Sequence, residues 1–475
     1  MKIKHQKMSE FSSEPTLRFD FKFIVGNVTD DKDYYTYKSL FKIIPYKKCE
    51  IDLDTTIQYA EIGNVSKLGE VFPVALSNDN RNELNEDLFK KIEKGDIISP
   101  EKGDILLSSI RPYLNKVVLI REDEFTNNKD IYFTKAFIQI RPLINSKVLY
   151  YLLRTILSSK INAVSRQGKG YPTLKESDLK NIRFSKDLLD HILDNEETIL
   201  ADLEKVESEI GKLNSLRINK KEIVDKIFAQ EFNLDIKSIF NVESIKNLKV
   251  PISSITNVNK DLRYSFRWNK MKELQGFMYE NIDCIERLGK YILSTNNGWS
   301  PESIVAGEGI PVLGQEHFDF GAYLDVHPTK ATIKTRPDIN KFFIKKGDFF
   351  ISRGNTVGLV GLASIVHEEI NENIIYPDLY IKVQFSKEIL PKYIALVFNS
   401  FLGRSYFKYV SKGKNQSMVK VSSNELLNFY LPIPDMSTQE KIVKSVQEKI
   451  EVQDNLSRKA ILGYGKIDKI FNDFK

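Results

Sequence analysis

The chemistry this sequence offers lies in polar and basic side chains gathered on loops. Arg111 and Tyr113 stand in Arg111-Pro112-Tyr113, and Arg353, Asn355 and Thr356 in Arg353-Gly354-Asn355-Thr356. Lys169 and Tyr171 belong to one basic glycine loop, and Lys412, Lys414, Asn415 and Gln416 to another. Arginine and lysine suit phosphates, while Arg, Asn and Gln carry the paired groups that match base edges in the major groove of DNA. A solvated loop uses the same residue types. Their occurrence at matching places in two halves of one chain is what points to binding.

Motifs for bond-breaking chemistry are missing from the sequence. The histidines, His5, His191, His317, His327 and His367, form no HExxH and no zinc spacing. The glycine-rich run Gly354 to Gly361 lacks the Lys-Ser/Thr of a phosphate-binding loop and reads as strand-turn-strand. There is no GxGxxG and no Asn-Pro-Pro-Tyr or Asp-Pro-Pro-Tyr of adenine methyltransferases. Neither Pro337-Asp338 nor Pro377-Asp378 is followed by the Glu-x-Lys of a nuclease strand. The expectation is a non-catalytic chain that binds no metal and no cofactor of its own.

Composition agrees with a soluble binding protein. The chain has 475 residues, 41% hydrophobic and 28% charged, too long for one core and suited to two or three domains. No segment approaches the roughly 20 apolar residues of a membrane span, and the polar N-terminus is no secretory signal. Two distant cysteines, Cys49 and Cys284, fit a reducing cytoplasm. A net charge of +6 permits a nucleic-acid partner without requiring one.

The loops sit in a repeat. Leu17-Arg18-Phe19-Asp20-Phe21-Lys22-Phe23 returns as Leu262-Arg263-Tyr264-Ser265-Phe266-Arg267-Trp268, and Lys102-Gly103-Asp104 with its strand returns as Lys346-Gly347-Asp348. Helical segments follow at Ser146 to Ala163 and Ser386 to Val410. Each leads into a basic glycine loop, then a short extended piece. Two long amphipathic runs close the halves, Asp194 to Phe232 and Ser437 to Phe474. The stripe of the first is Ile199, Leu203, Val206, Ile210, Leu213, Arg217, Lys220, Val224 and Ile227. That of the second is Ile442, Val446, Lys449, Gln453, Leu456, Ala460, Gly463, Ile467 and Ile470. Polar interruptions come late in one stripe and early in the other, so antiparallel pairing would bring them together. The fold expected is mixed α/β (α+β), with two pseudo-repeated domains separated by an antiparallel pair of long coiled-coil helices. The boundaries are 1–185, 186–245, 246–435 and 436–475.

On these residues the chain resembles the specificity subunit of type I restriction-modification systems. The carriers are Glu14-Pro15-Thr16-Leu17-Arg18-Phe19, the Lys-Gly-Asp strands, and Asn297-Gly298-Trp299-Ser300-Pro301, similar to the family's Gly-Gly-Thr-Pro turn. Most specific is Leu431-Pro432-Ile433-Pro434 running into Thr438-Gln439-Glu440-Lys441-Ile442. Residues 41 to 60 show no Gly-Thr-Pro equivalent, and Phe184 to Leu193 lacks the Pro-x-Pro step. The resemblance implies two target recognition domains, 1–185 and 246–435, each reading one half of a split site in double-stranded DNA. It implies helices that dock two copies of a modification subunit, which methylates adenine with S-adenosylmethionine. A restriction subunit, an ATP-dependent translocase and nuclease, would be a further partner. Trp299, Ser300 and Gln315 join the loop residues above as candidates for DNA contact. Three alternatives stay open: an enzyme with an unfamiliar site, a protein-binding scaffold, and a specificity subunit of a related non-cleaving defence or type II-like modification system.

Overall fold

Two Lys-Gly-Asp turns start the central strands of the two halves. The computed structural model describes residues 33–81, 85–121, 131–167, 171–244, 249, 265–305, 309–413 and 418–473. In these turns Gly103 and Gly347 take φ values of 84° and 86°, left-handed backbone that favours glycine. The aspartate that follows turns inward. Asp104, 1% exposed, accepts the Glu101 N–H at 3.0 Å and the Arg141 Nε–H at 2.8 Å. Asp348 accepts the Lys345 N–H at 2.8 Å and the Lys382 ammonium at 2.7 Å. Each acid thus closes its own turn and holds the cation of the neighbouring strand. The repeat's first marker, Leu17 to Phe23, lies outside the described residues.

The chain divides into two units, residues 1–216 with 457–475, and residues 217–456. The division falls inside both helical stretches, so each unit takes its own share of them. In the first unit an antiparallel sheet runs in the order Phe41–Ile44, Phe137–Pro142, Ile105–Ser108, Val117–Leu119. In the second the order is Ile292–Asn297, Tyr380–Phe385, Phe349–Ser352, Ala363–Ile365. Strand for strand these are counterparts, as the repeat predicts. A two-stranded ladder accompanies each sheet, Tyr34–Thr36 with Arg183–Ser185 and Ile285–Arg287 with Tyr430–Pro432.

Both Ile105–Ser108 and Phe349–Ser352 are buried at every position. A strand covered on both faces has no use for alternation, which is why it reads as an unbroken apolar run. In the first unit Ile105 and Leu107 pack with the helix Ser146–Arg154, while Leu106 packs with Ala60, Ile98 and Phe133 on the other side. That other side is where the units diverge. The first carries a mixed four-stranded sheet in which Ile57–Ala60 and Ile131–Thr134 are parallel; the second has three short strands, Ile304–Val305, Lys330–Thr332 and Ile310–Val312. The helical segments after the sheets are each split in two, Ser146–Arg154 with Ser158–Val164 and Pro391–Asn399 with Phe401–Val410.

The run from Asp194 to Phe232 is not one helix, as its stripe predicts, but breaks between Glu196–Ser215 and Lys220–Glu231. The polar interruption causes the break. Asn219 caps the second helix by accepting the Lys221 N–H at 2.8 Å, and the Ile218 N–H donates to the Gln453 side chain at 2.8 Å. Lys220 bridges Asp319 at 2.6 Å and Asp454 at 2.9 Å. The partner helix, Met436–Asn472, has 37 residues and no interruption. Its stripe departs from expectation at one point: Lys449 is exposed and Ile450, 7% exposed, takes its place.

Within the second unit Lys441 meets Glu231 at 2.9 Å and Gln453 meets Ile218. Within the first, Lys466 meets Glu209 at 2.8 Å, and Gly463 lies so close to Ile210 that a Cβ would stand 2.7 Å from its Cγ1. Rising numbers meet falling ones, so the segments run antiparallel in each unit.

Replacing Asp104 with alanine removes a backbone clamp and a charge-assisted pair. Urea unfolding of the full chain should show a loss of about 2–3 kcal/mol, and Asp348→Ala a similar loss.

Candidate nucleic-acid interface

In the second unit the strand Phe349–Ser352 delivers its last residue and the loop after it to one end of the sheet. Gly354 and Asn355 pair with Lys420 and Val419. The Arg353 N–H donates to the Leu379 carbonyl at 2.7 Å, and its own carbonyl accepts the Val421 N–H at 2.9 Å. From the opposite side the turn 297–301 leans on residues 376–380. Trp299 N–H donates to the Tyr376 carbonyl at 3.1 Å, and a Cβ on Gly298 would lie 2.2 Å from the Pro377 carbonyl oxygen. Only glycine permits that approach.

These two constraints bring Ser300, Gln315, Ser352, Arg353, Asn355 and Asp378 together. Gln315 Oε1 accepts from the Ser352 hydroxyl at 2.6 Å and from the Asn355 amide at 3.3 Å, and its Nε2 donates to the Leu379 carbonyl at 2.9 Å. Asn355 Oδ1 accepts the Thr356 N–H at 2.8 Å. The Asp378 N–H donates to Ser300 Oγ at 3.0 Å, and the Ser300 hydroxyl donates back to the Asp378 carboxylate. Arg353 Nη1 donates to the Asp378 carbonyl at 3.1 Å and lies 3.8 Å from its carboxylate. Trp299 flanks the group with the Arg336 guanidinium 5.5 Å from its ring centre; Arg336 is in turn held by Asp338. The sequence pattern missed Arg336, Ser352 and Asp378. Pro377-Asp378 is visible in the sequence only as half of a nuclease motif.

Lys412 stands apart from that network. Its backbone exchanges 2.8 Å hydrogen bonds with Lys420, and its ammonium lies 2.9 Å from Glu425, a residue 4% exposed. Burial raises the Glu425 pKa, but the hydrogen bonds from Ser422 and Lys412 outweigh it and leave the carboxyl below its usual range. Lys412 is thus paired with an acid of its own domain while its side chain stays 61% exposed. Lys169, Lys414, Asn415 and Gln416 lie outside the described residues.

The first unit repeats the platform with different side chains. The Leu174 N–H donates to the Ser109 carbonyl at 2.8 Å, as Val421 does to Arg353, and the Arg111 N–H donates to the Pro172 carbonyl at 2.9 Å. Ser109 is therefore the counterpart of Arg353, and Arg111 the counterpart of Asn355. Arg111 adopts φ 51° and places its guanidinium 5.5 Å from the centre of the Tyr171 ring. Tyr171 and Tyr113 are 38% and 50% exposed. Below them the Lys116 ammonium donates to the Ile62 carbonyl at 2.7 Å. Burial, and to a lesser degree the nearby charges of Lys67 and Arg111, pushes its pKa down. Arg166 meets Asp178 at 2.7 Å, repeating Lys412 and Glu425. Among the described residues no group of three or more His, Cys, Asp or Glu could hold a metal, and no helix is long and apolar enough to cross a membrane.

In the second unit the central strand thus feeds arginine, amide and hydroxyl side chains into one hydrogen-bonded loop platform. Residues 290–461 match the family model of the type I restriction modification DNA specificity domain. The EcoKI specificity subunit of Escherichia coli (strain K12) is 21% identical over 175 residues, which is 37% of this chain and 37% of that protein. The EcoEI specificity subunit of Escherichia coli is 22% identical over 178 residues, 36% of this chain and 29% of the relative. The matched stretch thus spans well under half of either relative's length, 37% of one and 29% of the other. Among solved structures, the HsdS subunit from Thermoanaerobacter tengcongensis is 16% identical with a TM-score of 0.27, covering 89% of this chain and 90% of its own. The type I S subunit from M. genitalium is 14% identical with a TM-score of 0.35, covering 94% and 98%.

Two outcomes follow for the platform. Gly298→Ala forces the turn 297–301 away from residues 376–380; overpacking of this kind costs about 1–3 kcal/mol, and a lowered thermal midpoint would show it. For Glu425 the folded pKa is depressed, so its contribution is present above the unfolded value and lost as pH falls through the folded one. Lys412→Met removes one of the groups that depress it. The variant should lose stability at pH 7, and the difference from the unaltered chain should shrink in unfolding curves taken near pH 3.

Proposed function

We propose that the chain is the sequence-reading subunit of a type I restriction-modification system. In this reading it has no catalytic centre and binds no cofactor. Each unit reads one half of a split site in double-stranded DNA. The helical stretches dock two copies of an adenine-methylating subunit, which uses S-adenosylmethionine, and space the two half-sites; a restriction subunit completes the assembly. The observation that carries this is the repeated platform. Two sheets of one strand order present loops at the same place, with the frame kept and the exposed side chains changed. Two readers of two different half-sites would need that combination, since backbone contacts position a protein on DNA while side chains on base edges specify sequence.

Mapping methylated adenines in the DNA of cells that express the full chain with its modification subunit tests the reading. A motif of two short halves separated by unread base pairs is expected, and no methylation, or methylation at an undivided motif, would sink it. Exchanging residues 264–435 for those of a related subunit should alter one half and leave the other. Binding of the assembled complex should also weaken steeply with salt. A contact to about six phosphates loses on the order of a thousand-fold between 50 and 200 mM salt, and titrations at several salt concentrations would reveal the slope.

A further inference from the structure

Gln315, Asn355, Arg353 and Asp378 do not offer the same thing to DNA. Adenine is read by an amide that gives both its oxygen and its nitrogen to the base. The Gln315 oxygen already accepts from Ser352 and Asn355, and its nitrogen donates to Leu379. Asn355 spends its oxygen on Thr356 and its nitrogen on Gln315. Both amides are engaged inside the platform and act as struts. Arg353 differs. Among the described residues its side chain contacts Asp378 through Nη1, at 3.1 Å to the carbonyl and 3.8 Å to the carboxylate, and no bond engages Nε or Nη2. Asp378 uses one carboxylate oxygen on Ser300, while Oδ2 faces Arg353. The two side chains are 28% and 46% exposed.

A phosphate does not suit this pair, because the Asp378 charge beside the guanidinium opposes an incoming anion. A G·C base pair does suit it. In the major groove guanine shows two acceptors, N7 and O6, and cytosine beside them shows the N4 amino donor. A guanidinium fork answers the first two and a carboxylate the third. Orientation is what base reading adds to phosphate binding, and the platform supplies it. The Arg353 backbone is fixed by Leu379 and Val421, and Asp378 is fixed by Ser300 in both directions.

We infer that the second unit reads a G·C pair, with Arg353 on guanine and Asp378 on cytosine, and with Ser300 and Gln315 as positioning residues. The inference rests on the function proposed above and adds one base pair to it. It applies to one half-site only, since the first unit has Ser109 where the second has Arg353.

The test uses the full chain with its modification subunit and the same methylation map. The unaltered complex should show an invariant guanine in one half-motif. Arg353→Gln should make that single position degenerate while every other position stays. Ser300→Ala should relax the same position in part, and Ser300→Thr should restore it. Where Arg353→Gln fails to assemble, Arg353→Lys keeps the charge and should still relax that position. A second measurement needs no variant. Replacing that guanine with 7-deazaguanine, which lacks the N7 acceptor, should weaken binding of the unaltered complex roughly ten-fold, as losing one good base contact does. A clear split motif that Arg353→Gln or Arg353→Lys leaves intact, or weakens equally at all sequences, overturns this assignment alone. An unaltered complex with no split motif overturns the proposed function and this inference with it.

Discussion

The rest of each domain depends on one inward-turned acid at the start of its central strand, buried at Asp104 and nearly so at Asp348. Asp104 and Asp348 each tie the turn that launches the strand to a cation on the next strand, Arg141 or Lys382. A carboxylate taken out of water is tolerable only with charged or amide donors around it. Turn, strand pairing and side-chain charge must therefore all be right at once. The consequence reaches the other end of the strand. With the register of Phe349–Ser352 against Tyr380–Phe385 fixed, Ser352 falls opposite Tyr380, and the residues that build the loop platform follow on both chains.

Much of this frame was legible in the sequence because its causes are local. A Lys-Gly-Asp turn, an apolar run ending in serine and a return after some 245 residues are written in adjacent letters. The antiparallel course of the helical segments followed from where their polar residues fall. What stayed hidden depends on partners far away in the chain. The break at 216–219 is a choice between helix and the Gln453 side chain, 235 residues on from Ile218. Asp378 looked like a fragment of another motif because Ser300, its partner, lies 78 residues earlier.

The loops show the same limit more sharply. Lys412 reads as a free basic residue until Glu425 is seen against it, and Gln315 reads as a base-reading amide until its hydrogen bonds are counted. Alignment by residue type paired the arginines of the two halves. Backbone hydrogen bonds pair Arg353 with Ser109 instead, and Asn355 with Arg111. Chemical likeness follows what a surface must recognise, whereas backbone geometry follows the fold, and in a duplicated domain the two diverge first on exposed loops.

The break at Leu216 to Asn219 has a consequence of its own. The hydrogen bond from Ile218 to Gln453 gives helical pairing a fixed origin, like the zero of a scale, from which Lys220–Glu231 counts in one direction. Residues gained or lost within Glu196–Ser215 shift the pairing of that segment alone, because the next begins afresh at the cap on Asn219. Helix length on one side of the origin is therefore free to drift over evolutionary time without erasing the register on the other.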